Sequence, residues 1–453
     1  MMKVLFLPLF QMNTGHHKVA DTLMDFLRRQ FPAVESKKID FLSYCNELME
    51  KMVSEAYLRW IRSHPASYHR VYKTLMYQDP PRFEFISFEP WLPYFESKMK
   101  KMVEEEQPDL IVCTHSFPSR ILQRLKRKRV LTVPVVNVYT DFFMNSIWGK
   151  RFIDYHFVPH QEAKWELITK YGVDKGRIIV TGIPVHDVFM NRSEARRKRQ
   201  PAHVLVAGGN QGLGNMLAFL RAARTSTLFR YSVLCGANRQ LYEEIASWQL
   251  PHIQPLPYIA DPEEMNRLYE EADAVITKPG GVTVSELLHK RIPIFTIDCL
   301  PGQERINLQY LQQNGLIYHL VGPESSEQHM LRLLMDDVEK TGFPPCVRLF
   351  CRCGKNGARS ARRSGSGHAA THGLARVASV ATEGVPKRSG HLFLFLYIRV
   401  KQMLENDMLC FVERRTTFLD TLTFLFLIAY GGWRNNLHRT YKISDRWARN
   451  VLQ

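Results

Sequence analysis

Thr277-Lys278-Pro279-Gly280-Gly281-Val282-Thr283-Val284-Ser285-Glu286 is the stretch on which the fold is decided. Residues 274–277 before it form a short apolar, β-branched run, and residues 284–290 after it carry apolar side chains at helical spacing. A strand, a glycine turn and a helix therefore follow one another, as in one step of a βαβ unit. Pro279-Gly280-Gly281 lets a ligand approach the backbone closely. The new helix aims its unpaired N–H groups outward at the positive end of its dipole, which suits a phosphate. Thr283 adds a hydroxyl. Glu286 lies one turn in, where a carboxylate can accept both hydroxyls of a ribose; the alternative is that it only complements the helix N-terminus.

Working outward, the same beat recurs over the first 340 residues. Strand signals fall at 4–9, 110–113 and 133–138, with an amphipathic helix at 18–30. Residues 191–201, containing Arg196-Arg197-Lys198-Arg199, break the pattern. It then restarts with strands at 203–207, 231–235, 274–277 and 294–297 and helices at 216–223, 262–271 and 284–290. Two consecutive α/β halves joined by a polar linker predict two Rossmann-like domains facing across a cleft, the first over 1–190 and the second over 202–342.

Residues 41–77 do not follow this beat. They are helical in character and rich in large apolar and aromatic side chains, including Tyr57, Trp60, Tyr68 and Tyr72, with basic residues interleaved. Two readings stand: a core-packed helical insertion, or an amphipathic patch that docks on an anionic membrane surface.

The net charge of +17 is a weaker clue than it looks. After Gly342 there are 18 Lys/Arg against 6 Asp/Glu, so +12 of the excess lies in the tail. A nucleic-acid partner is therefore not supported. The tail, 343–453, opens with a stretch dominated by Arg, Ser, Gly and Ala without hydrophobic period, which predicts disorder or poor packing. The eight cysteines lack zinc-like pairing and read as reduced thiols. The first ten residues read as a strand, not a signal peptide. The longest apolar runs, 392–398 and 418–430, fall short of the ~20 residues that span a bilayer.

Three further motifs sit at strand ends. Gly208-Gly209-Asn210-Gln211-Gly212-Leu213-Gly214-Asn215 joins a strand to a helix, either as a diphosphate turn or as a plain tight turn; it lacks the spacing of a dinucleotide fingerprint. Pro301-Gly302-Gln303-Glu304-Arg305-Ile306-Asn307 presents the amides and carboxylate that recognise a hexose. Asn13-Thr14-Gly15-His16-His17 puts His16 where it could act as general base or hold a phosphate, or be a solvated loop histidine. Asp141 ends a buried strand as either a base or a helix cap. No Asp-x-Asp occurs in the sequence, so no metal is expected.

These residues resemble the processive diacylglycerol glucosyltransferases and monogalactosyldiacylglycerol synthases of glycosyltransferase family 28, relatives of the peptidoglycan lipid-linked N-acetylglucosaminyltransferase. The resemblance covers residues 2–320. It is carried by Thr-Lys-Pro-Gly-Gly at 277–281 with Glu286, Pro-Gly-Gln-Glu at 301–304 with Asn307, Thr-Gly-Ile-Pro at 181–184 and Thr-Asp-Phe at 140–142. It implies a GT-B fold, a UDP-sugar as co-substrate rather than a cofactor, and an inverting, metal-independent hexosyl transfer to diacylglycerol. By that likeness Glu286 holds the ribose, Gly280, Gly281 and Thr283 line the phosphates, and Glu304 and Asn307 meet the sugar. Tyr258 and Ile259 edge the uracil, and Gly209, Asn210, Gln211, Gly212 and Gln303 complete the donor site. His16 or Asp141 serves as base, and the 41–77 insertion accepts lipid at the cytoplasmic face of the membrane.

The sequence departs from that family in three places. Asn13 replaces the first glycine of its Gly-x-Gly-His loop, and Asn145 stands where a histidine follows the Thr-Asp aspartate. Nothing after Gly342 resembles its C-terminus; the tail is either an out-of-frame or foreign continuation or a genuine basic membrane-binding tail. Two alternatives remain: N-acetylglucosaminyl transfer to a polyprenyl-diphosphate acceptor, and a non-catalytic UDP-sugar-binding membrane protein.

Overall fold

The computed structural model describes residues 2–11, 14–64, 67, 70, 91–190, 202–208, 216–297, 299, 302–320 and 326–341. The linker at 191–201, Tyr68, Tyr72, the turn residues Gly209, Asn210, Gln211 and Gly212, and the tail at 343–453 lie outside them.

The first half runs β1 (Met2–Leu7), α1 (Gly15–Gln30), β2 (Val34–Lys38), α2 (Phe41–Cys45), α3 (Glu47–Ser63), α4 (Leu92–Glu106), β3 (Leu110–Cys113), α5 (Ser116–Arg127), β4 (Val135–Val138), β5 (Tyr155–Val158), α6 (Gln161–Thr169) and β6 (Ile178–Val180). The second runs β7 (Ala202–Ala207), α7 (Met216–Ala222), β8 (Phe229–Leu234), α8 (Arg239–Ser247), β9 (Ile253–Leu256), α9 (Pro262–Glu271), β10 (Ala274–Thr277), α10 (Gly281–Lys290), β11 (Ile294–Thr296), α11 (Gln303–Gln313), β12 (Tyr318–His319) and α12 (Ser326–Thr341).

Each half holds one six-stranded sheet, ordered β2-β1-β3-β4-β5-β6 and β12-β11-β10-β7-β8-β9. Every strand pairing among the described residues is parallel. Two such sheets with helical crossovers are the expected GT-B architecture, and both belong to one compact unit. Central strands buried on both faces read as continuous apolar runs, which is why β3 is buried throughout. Each sheet has its own core: Leu5, Leu7, Ile111, Val135 and Val158 in the first, Val204, Val206, Val233 and Ile276 in the second.

Strand order reverses between β1 and β3 in the first sheet and between β7 and β10 in the second. At such a switch point neighbouring crossovers leave to opposite faces and open a crevice at the strand C-termini, where ligands bind. The loops carrying His16, Thr114, Asp141, Gly208 and Gly280 all leave those ends.

Local signals place the helices. Asp261 accepts from the Glu263 N–H at 3.2 Å ahead of Pro262, with Glu263 and Glu264 in the first turn of α9. Asn238 accepts from the Leu241 N–H at 3.0 Å to start α8. α10 begins at Gly281, earlier than the 284 expected from apolar spacing, because Gly280 in extended conformation acts as its N-cap.

Of the 41–77 insertion, residues 41–64, 67 and 70 are described, and the first of them pack on the core. Phe41, Leu42 and Cys45 are buried, and Met49 packs on the same core. The buried Glu50 fixes α3 by accepting from the Gln11 N–H and the Ser43 hydroxyl, each at 2.7 Å. Beyond it Leu48 and Met52, one turn apart, are each 72% exposed, and Val53 and Trp60 are exposed too. Trp91 and Tyr94, at the start of α4, are exposed as well. No helix among the described residues is long and apolar enough to cross a membrane.

Candidate functional site at the cleft

At the switch point of the first sheet, the half-buried His16 lies at the start of α1 with Nδ1 2.8 Å from the Thr114 carbonyl and 2.8 Å from the Thr140 hydroxyl. A carbonyl can only accept, so Nδ1 carries the proton and Nε2 the lone pair. The His115 ring meets it edge-on at 4.6 Å. Burial lowers His16 to about 4, against the pull of the Thr114 bond, so the imidazole is neutral at pH 7. His115 is held well below its usual range by burial and by the neighbouring histidines.

Thr140 also marks where the halves meet. A Cβ on Gly281 would lie 1.9 Å from the Thr140 carbonyl oxygen and 2.9 Å from Ile183. Only glycine fits, so the Pro-Gly-Gly turn serves the contact between halves. Gly182, with φ of 71°, turns the Thr-Gly-Ile-Pro segment so that Ile183 reaches this point. By contrast, among the described residues a Cβ on Gly280 would meet nothing within 4 Å, leaving the backbone open to them at the N-terminus of α10. Thr283 is half-buried in the first turn of that helix.

Glu286 is buried, and its Oε2 accepts from the Tyr269 hydroxyl at 2.8 Å. Burial raises its pKa, while Lys18 of α1, Tyr269 and His186 pull it down. Tyr269 packs on Phe189 with ring centroids 5.5 Å apart.

Asp141 caps no helix. Its Oδ2 accepts from Gln303 Nε2 at 2.5 Å and its Oδ1 from Asn307 Nδ2 at 2.9 Å, both on the first turns of α11. The Phe142 N–H donates to Asn307 Oδ1 at 2.9 Å, so the Asn307 amide is engaged at both ends and the residue is 1% exposed. Burial raises Asp141 to about 6, held from going higher by Asn307 and Gln303. Gly302, at φ 92°, makes the bend that starts α11. Glu304 is half-buried on the same turn.

The structure thus gathers His16, Thr140, Asp141, Gly281, Gln303 and Asn307 at one place. Tyr258 and Ile259 lie in the loop after β9, Tyr258 exposed and Ile259 half-buried. Trp60 sits on α3, its indole N–H donating to Ser67 Oγ at 2.9 Å. Tyr57 is on the same helix. At the departure site, Asn145 accepts from the Ile147 N–H at 3.1 Å, while the buried Lys150 ammonium donates to the carbonyls of Asn145, Ser146 and Trp148.

Three residues of this place stand outside every motif of the sequence. Tyr269 holds Glu286. His160 caps α6 through Nδ1, so its Nε2–H donates to the Phe142 carbonyl at 2.8 Å. Tyr310 stacks on His160 at 4.1 Å and lies parallel to Phe142 at 5.6 Å. Only Tyr310 left a trace, falling one turn after Asn307 on the same helix face.

Residues 16–185 match the monogalactosyldiacylglycerol (MGDG) synthase family. The uncharacterized glycosyltransferase YkoN of Bacillus subtilis is 41% identical over 321 residues, 70% of this chain and 84% of that protein. A processive diacylglycerol beta-glucosyltransferase of Bacillus cereus is 29% identical over 259 residues, 55% of this chain and 66% of that protein. The chain thus spans just under two thirds of that relative. Among solved structures, MurG of Acinetobacter baumannii aligns over 76% of this chain and 97% of its own, with a TM-score of 0.48 and 15% identity.

Proposed function

The chain belongs to glycosyltransferase family 28, and from that premise we propose that it moves a hexose from a UDP-sugar to the 3-hydroxyl of diacylglycerol. Glucose is the first choice and galactose the second. The product is a membrane glycolipid, and the protein works as a peripheral enzyme on the cytoplasmic face of the membrane. Residues 1–190 take the lipid and 202–342 the nucleotide-sugar.

The observation that carries this reading is the grouping of a carboxylate from the first half, Asp141, with the amides of α11 and the open N-terminus of α10 from the second. In the reaction, Asp141 takes the proton of the acceptor hydroxyl. The acceptor oxygen bonds to C1 of the hexose as the bond from C1 to the diphosphate oxygen breaks, and that electron pair leaves with UDP. A single displacement inverts C1. The N–H groups at the start of α10 stabilise the departing charge.

Asp141 is the better-tuned base of the two candidates. A base works best with its pKa near the operating pH, and about 6 is closer to that than the value of about 4 for His16. His16, neutral and fixed through Nδ1, is suited to orient the acceptor hydroxyl through Nε2. The exposed Leu48, Met52, Trp60, Trp91 and Tyr94 support membrane docking on the acceptor half.

Calorimetric titration with UDP tests the donor side. Glu286→Ala is expected to weaken binding by about 1–3 kcal/mol, the scale of a charge-assisted hydrogen bond. Unchanged affinity would remove Glu286 from the nucleotide site.

A further inference from the structure

We infer that Asn307 is a positioning residue for Asp141 and not a contact of the transferred sugar. The inference rests on the proposed function, in which Asp141 is the base and α11 faces the donor hexose.

Hydrogen-bond polarity fixes the geometry. A carboxylate only accepts, so the nitrogen ends of Asn307 and Gln303 must face Asp141. A backbone N–H only donates, so the oxygen end of Asn307 must face Phe142. Asn307 is therefore spent at both ends on the turn after β4, and at 1% exposure it presents no surface to a ligand. Gln303 differs, because only its nitrogen faces Asp141. Its Oε1 is the group that α11 offers for reading sugar hydroxyls.

The turn is clamped from its other side as well. His160 donates to the Phe142 carbonyl, and its ring stacks flat on Tyr310, one turn beyond Asn307. The Phe142 peptide is thus held through its N–H by the donor half and through its carbonyl by the acceptor half. Two bonds and a stack set where the Asp141 carboxylate stands relative to α11. The Asn307 amide also favours the ionised carboxylate against burial, which a base needs.

The test uses the full chain. Asn307→Ala is expected to lower kcat about tenfold, the size of one lost hydrogen bond to a charge, with UDP affinity unchanged. It should also move the acid limb of the kcat/KM profile to higher pH, because the carboxylate loses a donor. A merely structural residue would lower melting temperature and UDP affinity together and leave the limb in place; that result overturns the inference.

Asn307→Asp sets two carboxylates face to face and is expected to be more damaging to melting temperature than Asn307→Ala. Adding Asp141→Asn restores every bond, with the polarity of the one between positions 141 and 307 reversed. The amide introduced at position 141 accepts from Gln303 and donates to the carboxylate introduced at position 307, which still accepts from Phe142. Recovery of melting temperature in the double variant supports the pairing, and additive losses contradict it. Gln303→Ala is the control for the reading beneath. It should erase the difference in affinity between UDP-glucose and UDP. An unchanged difference would take the sugar away from α11, while the double variant still decides the pairing.

Discussion

Asp141 is one carboxylate shaped by two neighbours, Gln303 and Asn307, and by the burial around them. Burial places its pKa at about 6, well above the ordinary 3.8 of an aspartate. Because the folded value is raised, the protonated form is favoured by folding. That stabilisation is fully present below pH 3.8 and is lost as pH rises through about 6, so the ionised side chain at pH 7 strains the fold it serves. Activity runs the other way. As base, Asp141 must be ionised, so kcat/KM should fall on the acid side with a midpoint near 6, measured as a pH–rate profile. Asp141→Ala should lower kcat by about 10²–10⁴-fold, the usual contribution of a general base, with UDP affinity retained. A profile flat through pH 6, or a minor loss in the variant, would return the role to His16. At this scale the glycines, Asp141 and Glu286 were legible because their meaning lies in a few consecutive residues. Tyr269 and His160 were not, because each acts on a residue 17 or 18 positions away across a turn of the fold.

Among the elements, α10 and α3 carry the most. α10 starts at Gly280–Gly281, not at the first apolar residue, since apolar spacing finds a helix's buried face and misses a glycine cap. α3 shows why the 41–77 segment resisted a single reading. Its first turn is tied to the core through Met49 and Glu50, and the same helix then presents Leu48 and Met52 to solvent. Composition alone cannot divide one amphipathic helix into its docked and exposed faces. On the proposed function this exposed face enters the lipid surface. Burying each such side chain is worth roughly 1.5–3 kcal/mol, so Leu48→Glu with Met52→Glu should reduce partition onto anionic vesicles at least tenfold. Sedimentation with vesicles measures this, and UDP binding in solution should not change. Equal partition of variant and wild type would exclude this face from docking.

Across the two halves, two parallel six-stranded sheets of different strand order bring their switch-point loops together, and the β–α alternation made that architecture readable. What the sequence did not disclose is how closely the halves meet. Gly281 lies against Thr140, Gly15 against Val282, and Asp141 reaches across to α11. Such contacts join residues far apart in the chain and leave no periodic signal. They also give the proposed chemistry its order, because base, the sugar-reading Gln303 and the phosphate-facing helix end come together only when the halves are in contact. The central claim is the transfer itself. The most direct measurement incubates the full chain with radiolabelled UDP-glucose, and in parallel with UDP-galactose and UDP-N-acetylglucosamine, over vesicles containing either diacylglycerol or a polyprenyl-diphosphate-linked acceptor, and identifies the labelled lipid. The account predicts hexosyl-diacylglycerol from UDP-glucose or UDP-galactose, with inverted configuration at C1. Label appearing only in the polyprenyl-linked lipid, or UDP-sugar bound with no transfer to either lipid, would contradict it.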